Sequence, residues 1–433
     1  MIRYDKYKDS GVDWLGEIPE HWEDRRIKDI FKKIGSGTTP NTSRDDYYEN
    51  GTIYWLNTTD LNNDLVFDTK QKITQIALKE SGLKIYPINS LAIAMYGQGK
   101  TRGTVGLLQI PTTTNQAACI MFSPKGVNTK YILYWFIHKY DAIRSINIGA
   151  TQPNMNQDFV KFLALQCPPL SEQSAIATYL DSKTTAIDRK VDLLEQKITR
   201  YQQLRKSLIN ETVCRGLNKN VKLKDSGIEW IGEIPEHWEV KRIKDLTEVK
   251  RGASPRPIDD PIFFDDNGEF AWVRISDLTA SERYLEFTKE KLSTLGASLS
   301  VKRYPKDFIL SIAGTVGKPI ITKIKCCIHD GFVWFPNLKI DCEYLFYIFT
   351  TGLPYQGLGK LGTQLNLNTE TVGLISIPLP SNSEIIEIVS YLDDKVQKIE
   401  SIITNLIAQI ETLKELRKTL INDVVTGKIK VSG

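Results

Sequence analysis

The chain is written twice. The 22 residues from Asp9 to Ile30 return from Asp225 to Leu246 with six differences, five of them mild exchanges and only Asp24 to Val240 a change of character. A second repeated segment starts at Ser171 and again at Ser383, 212 residues later. Each copy follows a Pro-containing apolar stretch, Cys167-Pro168-Pro169-Leu170 in one case and Ile377-Pro378-Leu379-Pro380 in the other. Long-period self-similarity fixes architecture before any local propensity does, because each repeat has to form the same unit.

The second repeat carries a helical period. Leu180, Ile187, Val191, Leu194, Ile198, Tyr201 and Leu208 follow the alternating three-and-four spacing of a coiled-coil seam, and Leu392, Val396, Ile399, Ile403, Leu406, Ile410, Leu413 and Leu420 do the same. Arg205 and Arg417 interrupt the two seams at the same phase, inside matching Leu-Arg-Lys-x-Leu-Ile-Asn strings. Each helix should run about 40 to 45 residues, roughly 60 to 70 Å at 1.5 Å per residue. A stripe that long cannot be buried by a small domain, so each helix needs the other. The order globular, helix, globular, helix lets the pair lie antiparallel with approximate two-fold symmetry, holding the globular regions at opposite ends.

The two intervening regions, roughly 150 residues each at ordinary domain size, are rich in Tyr, Trp, Ile, Val and Thr and broken by Gly and Pro. They read as α/β with much strand. They share a skeleton: Trp55 to Leu61 matches Trp272 to Leu278, Tyr86-Pro87 matches Tyr304-Pro305, Gly103-Thr-Val-Gly106 matches Gly314-Thr-Val-Gly317, and Thr151 to Asn156 matches Thr363 to Asn368. One fold should occur twice with different surfaces.

At 433 residues the chain calls for two or three domains, and 41% hydrophobic with 25% charged residues is the composition of a soluble globular protein. A net charge of +4, from 56 basic and 52 acidic residues, excludes a polycation and does not by itself argue for nucleic acid. No signal peptide and no bilayer-length apolar stretch is visible, so a cytoplasmic location with no membrane partner is expected. Cys119, Cys167, Cys214, Cys326, Cys327 and Cys342 show no Cys-x-x-Cys pair and no His at zinc-finger spacing. Free buried thiols are expected, with no metal.

The opening Asp-Ser-Gly-x-x-Trp-x-Gly-Glu-Ile-Pro-Glu-His-Trp, the Pro-Pro-Leu-Ser-Glu-Gln junction from Pro168 to Gln173 and the doubled domain-plus-helix layout resemble the specificity subunit of Type I restriction-modification systems. The resemblance covers nearly the whole chain. It implies target recognition domains at 1–170 and 217–380 and conserved coiled-coil helices at 171–216 and 381–433. Each domain would read one half of a split, asymmetric site in double-stranded DNA, while the helices set the spacer and dock two methyltransferase subunits. Restriction/translocase subunits would join for cleavage. The chain itself would be non-catalytic and bind no cofactor, with S-adenosylmethionine, ATP and Mg2+ used by the partner subunits.

Several motifs carry competing readings. Ala94 to Thr101 fits a relaxed P-loop, yet the continuation reads as turn and strand, not the helix whose amides would hold phosphate. The glycines around Lys100, Thr101 and Arg102 suit phosphate contact or base reading instead. Thr38, Thr39, Asn57 and Thr58 in the first domain, and Arg251, Ser254, Arg256, Arg274 and Ser276 in the second, form comparable polar or basic sets and complete the DNA-binding candidates. For any one of them, ordinary turn chemistry competes with DNA contact. His21 and His237, beside Trp14, Trp22, Trp230 and Trp238, read as packing of each domain onto the helix ends rather than as acid-base groups. Gln152 and Gln364 sit in strings that recur almost unchanged, which argues against a role in choosing different half-sites. No methyltransferase Pro-Pro-Tyr/Phe loop, helicase signature or nuclease-like acidic cluster is present. A coiled-coil scaffold binding proteins at its ends is the main rival reading, a fused restriction enzyme and a stand-alone DNA-binding regulator the lesser ones.

Overall fold

The computed structural model describes residues 2–11, 16–97, 99–145, 155–356, 358 and 367–431. Trp14, Gln152 and Gln364 lie outside the described residues, as do the first four positions of each Thr-Gln-x-Asn string. The protein is mixed α/β, with two strand-rich domains and two long helices, Leu170–Arg215 and Asn382–Val425. It divides into two compact units, Met1–Leu194 with Ala408–Gly433, and Glu195–Ile407. Each long helix therefore contributes to both.

Within the first unit, a five-stranded sheet runs in the order Phe31–Gly35, Ala118–Pro124, Leu91–Ala94, Val105–Leu108, Asp64–Val66. Its central strand, Leu-Ala-Ile-Ala, is buried throughout. Such a run is apolar at every position because both faces are covered. One face packs on the helix Thr129–Ser145 and on Ile176, Ala177, Leu180, Ile421, Val424 and Val425 of the long helices. The other face, with Ala92, Ala94, Ala118 and Ile120, meets Leu56 of a second sheet ordered Thr113–Thr114, Ile53–Leu56, Gln71–Ile73.

The second unit repeats this order strand for strand. Its five-stranded sheet reads Lys250–Arg251, Phe332–Trp334, Phe308–Ser311, Pro319–Thr322, Tyr284–Leu285. Its smaller sheet reads Glu290–Leu292, Phe270–Val273, Cys326–Ile328, with Val301–Arg303 as a fourth strand. Parallel and antiparallel pairings match as well, so the domains share one topology.

The repeated Glu-His-Trp strings tie each domain to helix ends. In the first unit the buried Trp22 donates its indole N–H to Glu172 at 3.1 Å, and His21 meets the same carboxylate at 2.8 Å. A Cβ on Gly427 would stand 3.2 Å from the Trp22 ring. Trp22 thus touches the start of one long helix and the end of the other, while Asp188 and Arg417, further along each, pair at 2.9 Å. The two segments run antiparallel. In the second unit Trp238 likewise meets Glu384 at 3.0 Å and packs where Gly216 leaves room, and Arg205 pairs with Glu400. The arginines that interrupt the seams are therefore each matched by a carboxylate of the neighbouring helix.

Along the seam positions, Leu180, Leu392, Ile399, Ile403, Leu406 and Ile410 are buried, and Ile187, Val191, Leu194, Ile198, Tyr201, Leu208, Val396, Leu413 and Leu420 half-buried. All six cysteines are free, five buried and Cys342 half-buried. Burial pushes the thiols of Cys119, Cys167 and Cys214 up to about 12, which makes them inert. Among the described residues no helix is long and apolar enough to cross a membrane.

Candidate nucleic-acid interface

In the first domain the strand Ile53–Leu56 is the middle of the small sheet, with Thr113–Thr114 parallel and Gln71–Ile73 antiparallel to it. That geometry brings the residue after Leu56, the residue after Thr114 and the first residue of the antiparallel strand to one end of the sheet. These are Asn57, Asn115 and Gln71. Asn57 donates to Gln71 Oε1 at 3.2 Å and accepts from Asn115 Nδ2 at 2.9 Å, while its backbone N–H is fixed by the Asp60 carboxylate at 2.8 Å. A Cβ on Gly37 would fall 1.6 Å from the carbonyl oxygen of Thr114, so only glycine lets the loop cross here. The loop then carries Thr39, whose hydroxyl donates to Gln116 Oε1 at 2.8 Å.

The second domain builds the same sheet end from different chemistry. Arg274 follows the strand Phe270–Val273, His329 follows the parallel strand Cys326–Ile328, and Glu290 opens the antiparallel strand. Asp277 holds the Arg274 backbone N–H at 2.9 Å, and the Arg274 guanidinium pairs with Glu290. A Cβ on Gly252 would fall 2.2 Å from the His329 carbonyl oxygen. Beyond it Ser254 donates to Asp330 Oδ1 and Arg256 to Asp330 Oδ2, both at 3.2 Å, and Arg251 donates to the Asp330 carbonyl. Burial lowers the His329 pKa, with Arg274 and Arg251 adding to this and Asp330 opposing it. Neutral His329 accepts from the Gly331 N–H through Nδ1 at 2.8 Å, which leaves Nε2 as a donor.

Strand register equates the two sets position by position: Thr39 with Ser254, Asn57 with Arg274, Gln71 with Glu290, Asn115 with His329, Gln116 with Asp330. Of the residues singled out from the sequence, Thr39 and Asn57 meet at this sheet end, and Arg251, Ser254, Arg256 and Arg274 gather at its counterpart. Thr38 is exposed beside Thr39, its carbonyl accepting from the Trp55 indole at 3.4 Å, and Thr58 opens the short 3-10 turn Thr58–Asp60. Ser276 is exposed on the short helix Ile275–Ala280. Gln71, Asn115, Gln116, Glu290, His329 and Asp330 carry no local sequence signal, because their place depends on pairing across strands far apart in sequence.

Lys100, Thr101 and Arg102 belong to a different loop, between strands of the five-stranded sheet. Arg102 Nη2 donates to the Arg144 carbonyl at 2.5 Å, Arg144 Nη2 to the Gly99 carbonyl at 2.7 Å, and Tyr140 to the Lys100 carbonyl, so the loop is fastened to the helix Thr129–Ser145. The expected match of Gly103 to Gly314 is corrected by the backbone. Gly103 donates its N–H to the Ala94 carbonyl, and Gly317, not Gly314, does so to the corresponding carbonyl of Ser311. Both adopt left-handed φ, +85° and +82°. The first loop is three residues longer, which slides the similar Gly-Thr-Val-Gly strings out of register. Tyr86 is likewise replaced in register by Arg303, paired with Cys326, not by Tyr304.

A sequence model described as the Type I restriction modification DNA specificity domain matches residues 19–200 and 235–412. The Type I restriction enzyme MjaIX specificity subunit of Methanocaldococcus jannaschii is 30% identical over 276 residues, which span 61% of this chain and 60% of that relative. The MjaVIII specificity subunit of the same organism is 25% identical over 432 residues, covering 96% of this chain and 94% of the relative. In fold, the chain resembles the HsdS subunit from Thermoanaerobacter tengcongensis, with a TM-score of 0.54, 14% identity, and coverage of 95% and 98% of the two chains. It also resembles a chain in a structure of the type I R-M system, with a TM-score of 0.74, again 14% identity, and coverage of 95% and 99%.

Proposed function

The chain belongs to the Type I restriction-modification specificity family, and on that premise we propose that its two recognition domains read the two halves of a bipartite, asymmetric DNA target on behalf of catalytic partners. The observation that carries this is the sheet end built twice with the same backbone and unlike side chains. A palindrome reader needs two identical surfaces. Two unlike surfaces on one chain address an asymmetric site.

The antiparallel helix segments act as the ruler between half-sites and as docking surfaces for two methyltransferase subunits, one for each repeat. The chain contributes address and geometry and works in the cytoplasm. Adenine methylation with S-adenosylmethionine, and cleavage with ATP and Mg2+ by restriction/translocase subunits, belong to the partners.

Exchange of residues 31 to 170 for the same region of another family member tests the modular reading. One half of the methylated motif should change and the other stay. A change in both halves would overturn it. Mass measurement of the purified complex should give two methyltransferase subunits per chain, and a one-to-one ratio would contradict the role given to the repeats.

A further inference from the structure

We propose that the five equivalent positions at the sheet ends are the base-reading sets, the amides around Asn57 facing an A·T pair in one half-site and the Arg274–Glu290 couple facing a G·C pair in the other. This rests on the DNA-specificity reading above and assigns its residues.

Three observations carry it. The scaffold of the two sheet ends is held constant: Gly37 and Gly252, Pro40 and Pro255, Trp55 and Trp272, Asp60 and Asp277 are the same residue in both domains. The positions that scaffold presents are not. All five differ between domains, and four change in charge class or hydrogen-bonding type: Asn57 against Arg274, Gln71 against Glu290, Asn115 against His329, Gln116 against Asp330. Groups that merely closed the sheet would have no reason to differ where their supports do not.

Second, the side chains are within reach of a partner. Arg274 and Glu290 keep 38% and 41% of their side-chain surface, and Asp330 keeps 42%. An ion pair that exposed holds little stability, so its members are free to exchange partners.

Third, the chemistry is complementary to base edges. In the major groove G·C presents two acceptors on guanine and the cytosine N4 donor. A guanidinium beside a carboxylate offers the matching donor fork and acceptor, Arg274 to guanine O6 and N7 and Glu290 to cytosine N4. Adenine presents an acceptor and a donor side by side, the pattern an Asn or Gln carboxamide matches with both of its polar atoms. Asn57, linked to Gln71 and Asn115, is held for that task. Arg251 and Arg256, flanking the second set, suit phosphate contacts that set register without reading sequence.

The experiment uses the assembled complex of this chain with its methyltransferase subunits, and reads the methylated motif by long-read sequencing for wild type, Arg274→Ala, Glu290→Gln and Asn57→Ala. Arg274→Ala and Glu290→Gln should each make one G·C position of a single half-site degenerate, with discrimination there falling about tenfold to a hundredfold. Asn57→Ala should do the same at an A·T position of the other half. Glu290→Gln keeps the size and shape of the side chain, so its result decides the matter if Arg274→Ala fails to assemble. Unchanged motifs in the assembled variants, or degeneracy at an A·T pair for Glu290→Gln, would overturn the base assignment alone. A wild-type complex that methylates no bipartite motif would overturn the DNA-specificity reading beneath it.

Discussion

Trp238 donates its indole N–H to Glu384 across 3.0 Å, and the same carboxylate receives His237 at 2.9 Å and the hydroxyl and backbone N–H of Ser381. Burial acts to raise the Glu384 pKa, but the bonds from Trp238, Ser381 and His237 outweigh it and bring the value down from 4.5 to about 2. A carboxylate with a depressed folded pKa stabilises the fold fully above its unfolded pKa and loses that contribution as pH falls through the folded one. Denaturant midpoints should therefore fall between about pH 4.5 and pH 2. Glu384→Gln should be less stable than wild type at pH 6 and flatten that part of the profile. A variant profile parallel to wild type would show that Glu384 does not carry the effect.

A tyrosine clamp joins each strand-rich domain to a long helix. Tyr134 donates to Asp181 at 2.8 Å in the first unit, and Tyr347 donates to Asp393 at 2.5 Å in the second. The cation beside each carboxylate comes from a different place, Lys130 in one case and Arg283 in the other. Tyr134→Phe removes the bonds to Asp181 and Thr184, Tyr347→Phe removes those to Asp393 and Arg283, and both leave the ring packed. Each should cost about 1 kcal/mol in equilibrium unfolding, with the methylated motif unchanged.

Gly252→Ala places a methyl group 2.2 Å from the His329 carbonyl oxygen, and neither backbone can yield without moving Ser254 away from Asp330. Recognition of one half-site should weaken or relax while the other half is read normally. Gly37→Ala should act in the same way on the other half. Methylation assays on DNA with one half-site altered at a time check both.

Seven residues inserted into each long helix keep the heptad phase. They add about 10 Å at 1.5 Å per residue, close to the rise of about three base pairs. The spacer of the methylated motif should lengthen while both half-sites stay the same. An unchanged spacer would contradict the ruler.

Much of this architecture is legible in the sequence. The Glu-His-Trp repeats marked the joints at Glu172 and Glu384, and the three-and-four spacing marked positions that are buried or half-buried. Helical period is a local property, so it survives in sequence. The sheet ends were half legible. Asn57 and Arg274 could be equated through the shared Trp and Asp around them, but Gln71 with Glu290 and Gln116 with Asp330 become equivalent only through strand pairing across loops of unequal length. The same unequal loops put the similar strings at Gly103 and Gly314 in different backbone positions.

Long-read methylation mapping of host DNA with and without this gene tests the central claim most directly. The account predicts that one bipartite, asymmetric adenine-methylated motif is present with the gene and lost without it. A motif that persists without the gene, in a host whose methyltransferase subunits are expressed and active, would contradict it.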